Sequence, residues 1–167
     1  MSKITKRYNR EREIAEMAEK SLLGTILLLG SDRQAIDYAH QLVTPEDFRD
    51  YQFKFPHNQR SRIYKAMLLC DIPDQLRVAE KLNELGLLAS EVINGIVFSD
   101  IADMSMLMAE CPCALDYPYY AVAVHTYGDK RRELLKAREI KELADKGDFK
   151  RVAEVANKAG VLKGIEI

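Results

Sequence analysis

The chain has 167 residues, 47% of them hydrophobic and 31% charged, with a formal net charge of -1. That length and balance support a self-sufficient core, exclude a disordered chain, and exclude a global electrostatic pull toward nucleic acid. Three cysteines (Cys70, Cys111 and Cys113) imply no complete disulfide framework, and MSKITKRYNRERE carries no apolar leader.

Residues 1–12 hold Lys3, Lys6, Arg7, Arg10 and Arg12 and are expected to form a flexible basic tail. From about Glu11 to Leu29, Ile14, Met17, Ala18, Leu22, Ile26 and Leu29 recur at three- and four-residue steps, the spacing of a helix with one apolar face. The longest apolar run, 22–29, is far short of the roughly 20 residues that span a bilayer. A cytoplasmic, reduced setting with no membrane contact is therefore expected. Gly30 is expected to end the helix in a left-handed C-cap, and Ser31 or Asp32 to cap a second helix reaching about Leu42. Thr44-Pro45-Glu46-Asp47 reads as a capped turn with proline in its first position. Phe48, Tyr51, Phe53 and Phe55 follow, and are expected to plug the gap between helices. A third helix over about 58–70 turns Ile63, Met67 and Cys70 inward. Asp74 caps a fourth, whose face is Val78, Ala79, Leu82 and Leu85 and whose stop is Gly86. Helix is predicted over 90–98, weakened by Gly95, and again over 101–110, with Met104 and Met108 inward and Met106 outward. No strand is predicted.

Cys111-Pro112-Cys113 breaks the pattern. A long helix then opens at Asp116 or Tyr117, tolerating Pro118 in its first turn, and runs to about Lys146. Tyr120, Val124, Tyr127, Arg131, Leu134, Leu135 and Arg138 line one side of it. Gly147 ends that helix, Asp148 caps the last one, and Phe149, Val152, Ala153, Ala156 and Ala159 form its apolar side before Gly160. The fold class is all-α. A compact helical bundle over 13–111 is followed by a C-terminal antiparallel helical hairpin over 112–167.

Catalytic signatures are missing. The sequence contains no Gly-Lys dipeptide, which rules out a Walker-type phosphate loop, and it has neither G-x-S-x-G nor H-E-x-x-H. His40, His57 and His125 are far apart, and Cys111 and Cys113 are closer together than zinc-binding pairs usually are. The cysteines are expected to be buried free thiols acting as small hydrophobes. Glu46/Asp47 and Glu11/Glu13 are accounted for by helix starts. No enzyme activity, cofactor or metal is expected.

Six ordered segments resemble the N-terminal domain of the DnaB-type replicative DNA helicases. Ala18-Glu19-Lys20-Ser21-Leu22-Leu23-Gly24 is similar to that family's A-E-x-[AS]-[VL]-L-G opening. Val43-Thr44-Pro45-Glu46-Asp47-Phe48-Arg49-Asp50 resembles L-x-P-E-D-F-Y-D. His57 with Ile63-Tyr64-Lys65-Ala66-Met67 resembles H-x-x-I-[FY]-x-A-M with a wider gap. Asp74 through Leu82 resembles D-L-x-T-V-A-E-x-L. Pro112-Cys113-Ala114 through Tyr119-Tyr120-Ala121 resembles P-[ST]-A-x-N-x-x-Y-Y-A, and Asp129 through Leu135 resembles the basic helix that follows. The family's Gly-Gly-x-x-Tyr-Leu stretch is not visible between Ala89 and Ile101, and Pro118 replaces a usual acidic residue.

The resemblance implies a domain that, in the family, pairs through its helical hairpin above a motor ring and docks the primase. Here it implies a non-catalytic module of the replication apparatus that forms a homo-oligomer and binds a primase, a replicative helicase or a helicase loader. Its self-association or partner surface would be Tyr120, Val124, Tyr127, Arg131, Leu134, Leu135 and Arg138. Direct DNA binding is expected to be weak or absent. The alternative is a DNA-binding regulator that uses the basic N-terminus and the Lys130–Arg138 face.

Overall fold

A computed structural model describes residues 2–158. Its first helix, α1 (Lys3–Leu28), starts eight residues before the apolar stripe does. The Ser2 hydroxyl caps it by accepting from the Thr5 N–H, 3.2 Å away. Arg7–Glu11 and Arg12–Glu16 ion pairs, each spaced four residues apart, brace the polar turns. The segment expected as a tail is thus helical from Lys3. An apolar period marks a helix only where one face meets a core, and these turns are exposed.

Further along α1, Ala18, Leu22, Leu23, Ile26 and Leu27 are buried. They join side chains from α2 (Gln34–Leu42), α3 (Gln59–Leu68), α4 (Gln75–Glu84), α5 (Asp100–Ala109) and the first turns of α6 (Tyr117–Asp145) in one core. Phe48 reaches that core from between two 3-10 turns (Pro45–Asp47 and Arg49–Gln52), its ring 4.9 Å from that of Tyr64. The Tyr64 hydroxyl donates to the Val43 carbonyl at 2.8 Å. Phe48 is the plug the sequence suggests. Tyr51, Phe53 and Phe55, expected to share that role, are exposed.

Two glycines are required by proximity. A β-carbon at Gly24 would overlap the Leu107 carbonyl oxygen, so α1 and α5 cross closer there than any side chain allows. A β-carbon at Gly30 would lie 3.0 Å from the Asp74 backbone. Gly30 does not take the expected left-handed C-cap. Positive φ occurs instead at Gly86, Gly95 and Gly147.

Residues 90–98, predicted as helix, fall instead in a hairpin of β1 (Ser90–Ile93) and β2 (Ile96–Ser99). The strands are antiparallel, with Val92 opposite Val97 and Ile93 opposite Ile96. Asn94 (φ 51°) and Gly95 (φ 78°) make the turn, the positive-φ pair that matches strand twist.

A buried ion pair holds the hairpin's base. Arg62 on α3 donates to both carboxylate oxygens of Asp100, at 2.7 and 3.2 Å. It also donates to Asn58 Oδ1 and to the carbonyls of Pro56 and Leu87. Asp100 opens α5, and it further accepts from the Ala89 N–H at 2.8 Å and the Gln59 amide at 2.9 Å.

The chain divides into two compact units, Met1–Tyr127 and Gly128–Ile167. The division falls inside α6. In the second unit, the rest of α6 is joined to α7 (Phe149–Lys158) by a turn in which Asp148 N–H donates to the Leu143 carbonyl at 3.0 Å. Asp148 then caps α7 by accepting from Arg151 N–H at 3.3 Å. Leu143 and Ala156 are buried. Ala159 and Gly160, expected to end the last helix, lie outside the described residues.

Replacing Asp100 by Ala leaves Arg62 buried and uncompensated, and urea unfolding should show a loss of about 3–5 kcal/mol. Gly24→Val should cost about 1–3 kcal/mol through overpacking against the Leu107 carbonyl. A midpoint unchanged from the parent protein would refute the close crossing.

Candidate interaction surfaces

The side chains expected to form one exposed stripe on α6 meet different surroundings along its length. Tyr120 and Val124 are buried and belong to the core of the first unit. Tyr127, the last residue of that unit, is half-buried. In the second unit Arg131 is half-buried, Arg138 is exposed, and Leu134 and Leu135 are 48% and 44% exposed. The seven share a helix face by spacing, but only the later turns offer that face to solvent. The stripe's early residues hold α6 to the bundle.

Other apolar side chains are exposed at positions outside the expected stripe. Leu115, Tyr119 and Val122 point outward around the start of α6, and Phe149 opens α7 unburied. The first three follow the same three- and four-residue spacing as the core stripe, so periodicity alone marks two apolar faces on this helix. Nothing local says which one the bundle takes. Met104 is buried, Met108 packs against the core and Met106 is exposed, as their spacing predicts.

Clefts lined by described residues open on the first unit. One, of about 290 Å³, is lined by Thr44, Pro45, Glu46, Tyr51 and Lys65. Another, of about 260 Å³, has Lys20, Gln59, Arg60, Asp103, Met106 and Glu110 among its walls. Its charges are mixed and partly engaged, since Asp103 accepts from the Gln59 amide at 2.5 Å. Arg60 stands 3.5 Å from the buried carboxylate of Glu19, which also accepts from the Arg49 N–H. None of these charged groups stands out in the sequence, because helical period scores apolar positions and is blind to a carboxylate turned inward.

The thiols differ from one another. Cys70 is buried, and burial pushes its thiol up from the ordinary value, with Lys81 opposing. Cys111 is half-buried, 3.2 Å from the Thr25 hydroxyl, and Cys113 is exposed. The expectation of three buried thiols is therefore met at Cys70 alone.

No family model matches this chain, and no curated protein sequence does. Among solved structures, the N-terminal domain of DnaB helicase from Mycobacterium tuberculosis matches with a TM-score of 0.65 and 27% identity, covering 87% of this chain and 93% of that one. The chain has a DnaB N-terminal-domain-like fold. This likeness spans nearly the whole neighbouring domain. The DnaB-like fold here is largely all-α, with the short β1–β2 hairpin as its sheet among the described residues. No helix among the described residues is long and apolar enough to cross a membrane.

Thiol order follows from exposure and from the direction of the Cys70 shift. Under native conditions near neutral pH, a maleimide should modify Cys113 first and Cys70 last, with peptide mass mapping as the readout. Modification of Cys70 ahead of Cys113 would contradict its burial.

Proposed function

We propose that this chain is a non-catalytic DnaB N-terminal-domain-like module that self-associates and binds a replication protein, whether primase, replicative helicase or helicase loader. The likeness to the DnaB N-terminal domain across 87% of the chain carries this reading. The physical support is on the second unit. Leu134 and Leu135 leave apolar area in water beside Arg131 and Arg138. Apolar area rimmed by charge is a common marker of a protein interface, and arginine and aromatic side chains are enriched in interface centres. Tyr120 and Val124, buried in the core of the first unit, are not part of that surface.

Light scattering after size exclusion tests the self-association. At about 100 µM, a concentration that favours even a weak dimer, the mass should be at least twice the 19.1 kDa of one chain. Leu134→Glu with Leu135→Glu should return it to the monomer without loss of helical signal, because both side chains are exposed. Monomer alone from the unaltered protein would sink the self-association. Capture of purified primase, helicase and loader, each tested separately, decides the partner.

A further inference from the structure

Between Arg49 and Asn58 the chain reads Arg-Asp-Tyr-Gln-Phe-Lys-Phe-Pro-His-Asn, without Ala, Val, Leu, Ile or Met. Tyr51, Phe53 and Phe55 are 50%, 51% and 41% exposed. Three rings in five residues left in water is a large apolar display for a surface loop, and scattered single exposures do not account for it.

The loop is held firmly at both ends. Asp50 is buried and accepts from the N–H groups of Arg60 and Ser61 at 2.6 and 3.0 Å. Pro56 is buried, and its carbonyl accepts from Arg62 at 3.1 Å. The Arg62 guanidinium lies 4.8 Å over the Phe55 ring. The rings are therefore presented on an anchored segment, which lowers the cost of ordering them when a ligand arrives.

Charge around the rings is mostly positive. Lys54 lies between Phe53 and Phe55, and Lys65 lines the cleft beside Tyr51. Neither lysine makes an ion pair among the described residues. The Arg49 guanidinium reaches the Tyr8 ring, 5.8 Å from its centroid. The nearby carboxylates are Asp50, consumed in capping α3, the buried Asp47, the buried Glu19, which accepts from the Arg49 N–H and stands beside Arg60, and Glu46, which borders the same cleft as Lys65.

We propose that Tyr51, Phe53 and Phe55 form a stacking platform for the unpaired bases of a single-stranded nucleic acid, with Arg49, Lys54 and Lys65 meeting its phosphates. Rings interleaved with cations suit that ligand, since every base has a π-face and every linkage a charge. A duplex hides its base faces and leaves the rings unused. The site uses none of the α6 side chains and does not depend on self-association.

Fluorescence anisotropy with labelled oligo-dT and oligo-U of about 12 nucleotides, on the full chain at low salt, tests it. Both strands should bind, more tightly than a duplex of equal length, and a preference between them tells DNA from RNA. Tyr51→Ala and Phe53→Ala should each weaken binding by about fivefold or more while leaving circular dichroism unchanged. Lys54→Ala with Lys65→Ala should lower the slope of log affinity against log salt by about 0.7 for each phosphate that is no longer neutralised. Any of three results overturns the proposal: no binding at low salt, affinity indifferent to both ring substitutions, or a duplex bound as tightly as a single strand. Displacement by polyglutamate, with the ring variants still binding, also overturns it in favour of a general anion surface.

Discussion

The Arg62–Asp100 pair organises the least regular part of the molecule. All five guanidinium N–H groups are used. Two go to Asp100, one to Asn58 and two to the carbonyls of Pro56 and Leu87. Asp100 in turn accepts from Arg62, Gln59 and Ala89. A buried charge pair is costly to desolvate, and it stabilises a fold only when such partners fill its remaining valences. Here they do, and every partner is a piece of loop or helix end. Side-chain chemistry fastens the entry to α3 onto the exit from α4 and the start of α5, which the β1–β2 ladder and the Asp100 N–H to Ala89 carbonyl bond already join.

That arrangement explains where the sequence is readable. Helices are legible wherever an apolar stripe meets the core, as at Leu22 and Ile26 or at Val78 and Leu82. Capping residues are legible too. Asp74 accepts from Arg77 N–H at 2.8 Å and Asp148 caps α7, both as side-chain type predicts. The hairpin escapes a periodicity reading because Val92, Ile93, Ile96, Val97 and Phe98 form a short apolar run that helix and strand share. Asn94-Gly95 carries the deciding signal, a turn in which both residues take positive φ, whereas Gly95 taken alone reads as a weak point in a helix.

The interaction surfaces are harder to read, for a related reason. On α6 the same spacing serves two environments, so Tyr120 and Leu134 look equivalent in sequence and differ in solvent contact. The rings at 51–55 illustrate the opposite failure. Composition suggests that aromatics close a core, but Asp50 and Pro56 tie down both ends of the loop and leave the rings between them outside. Only Phe48, one residue before the second 3-10 turn, is directed inward. Tertiary anchors decide such cases, and they leave no periodic trace.

The crossing at Gly24 has a mechanical consequence. With the Leu107 carbonyl oxygen occupying the place of a missing β-carbon, α5 is notched into α1. Sliding α5 by a turn along α1 would bring that carbonyl against the same face at Lys20 and Ser21 or at Leu27 and Leu28, which do have β-carbons. The notch therefore acts as a detent, in which one setting is comfortable and its neighbours are blocked. Any force reaching α5, whether from the hairpin at its start or from the Cys111–Cys113 bend at its end, would be passed to α1 as rigid-body motion and would not be absorbed by slippage.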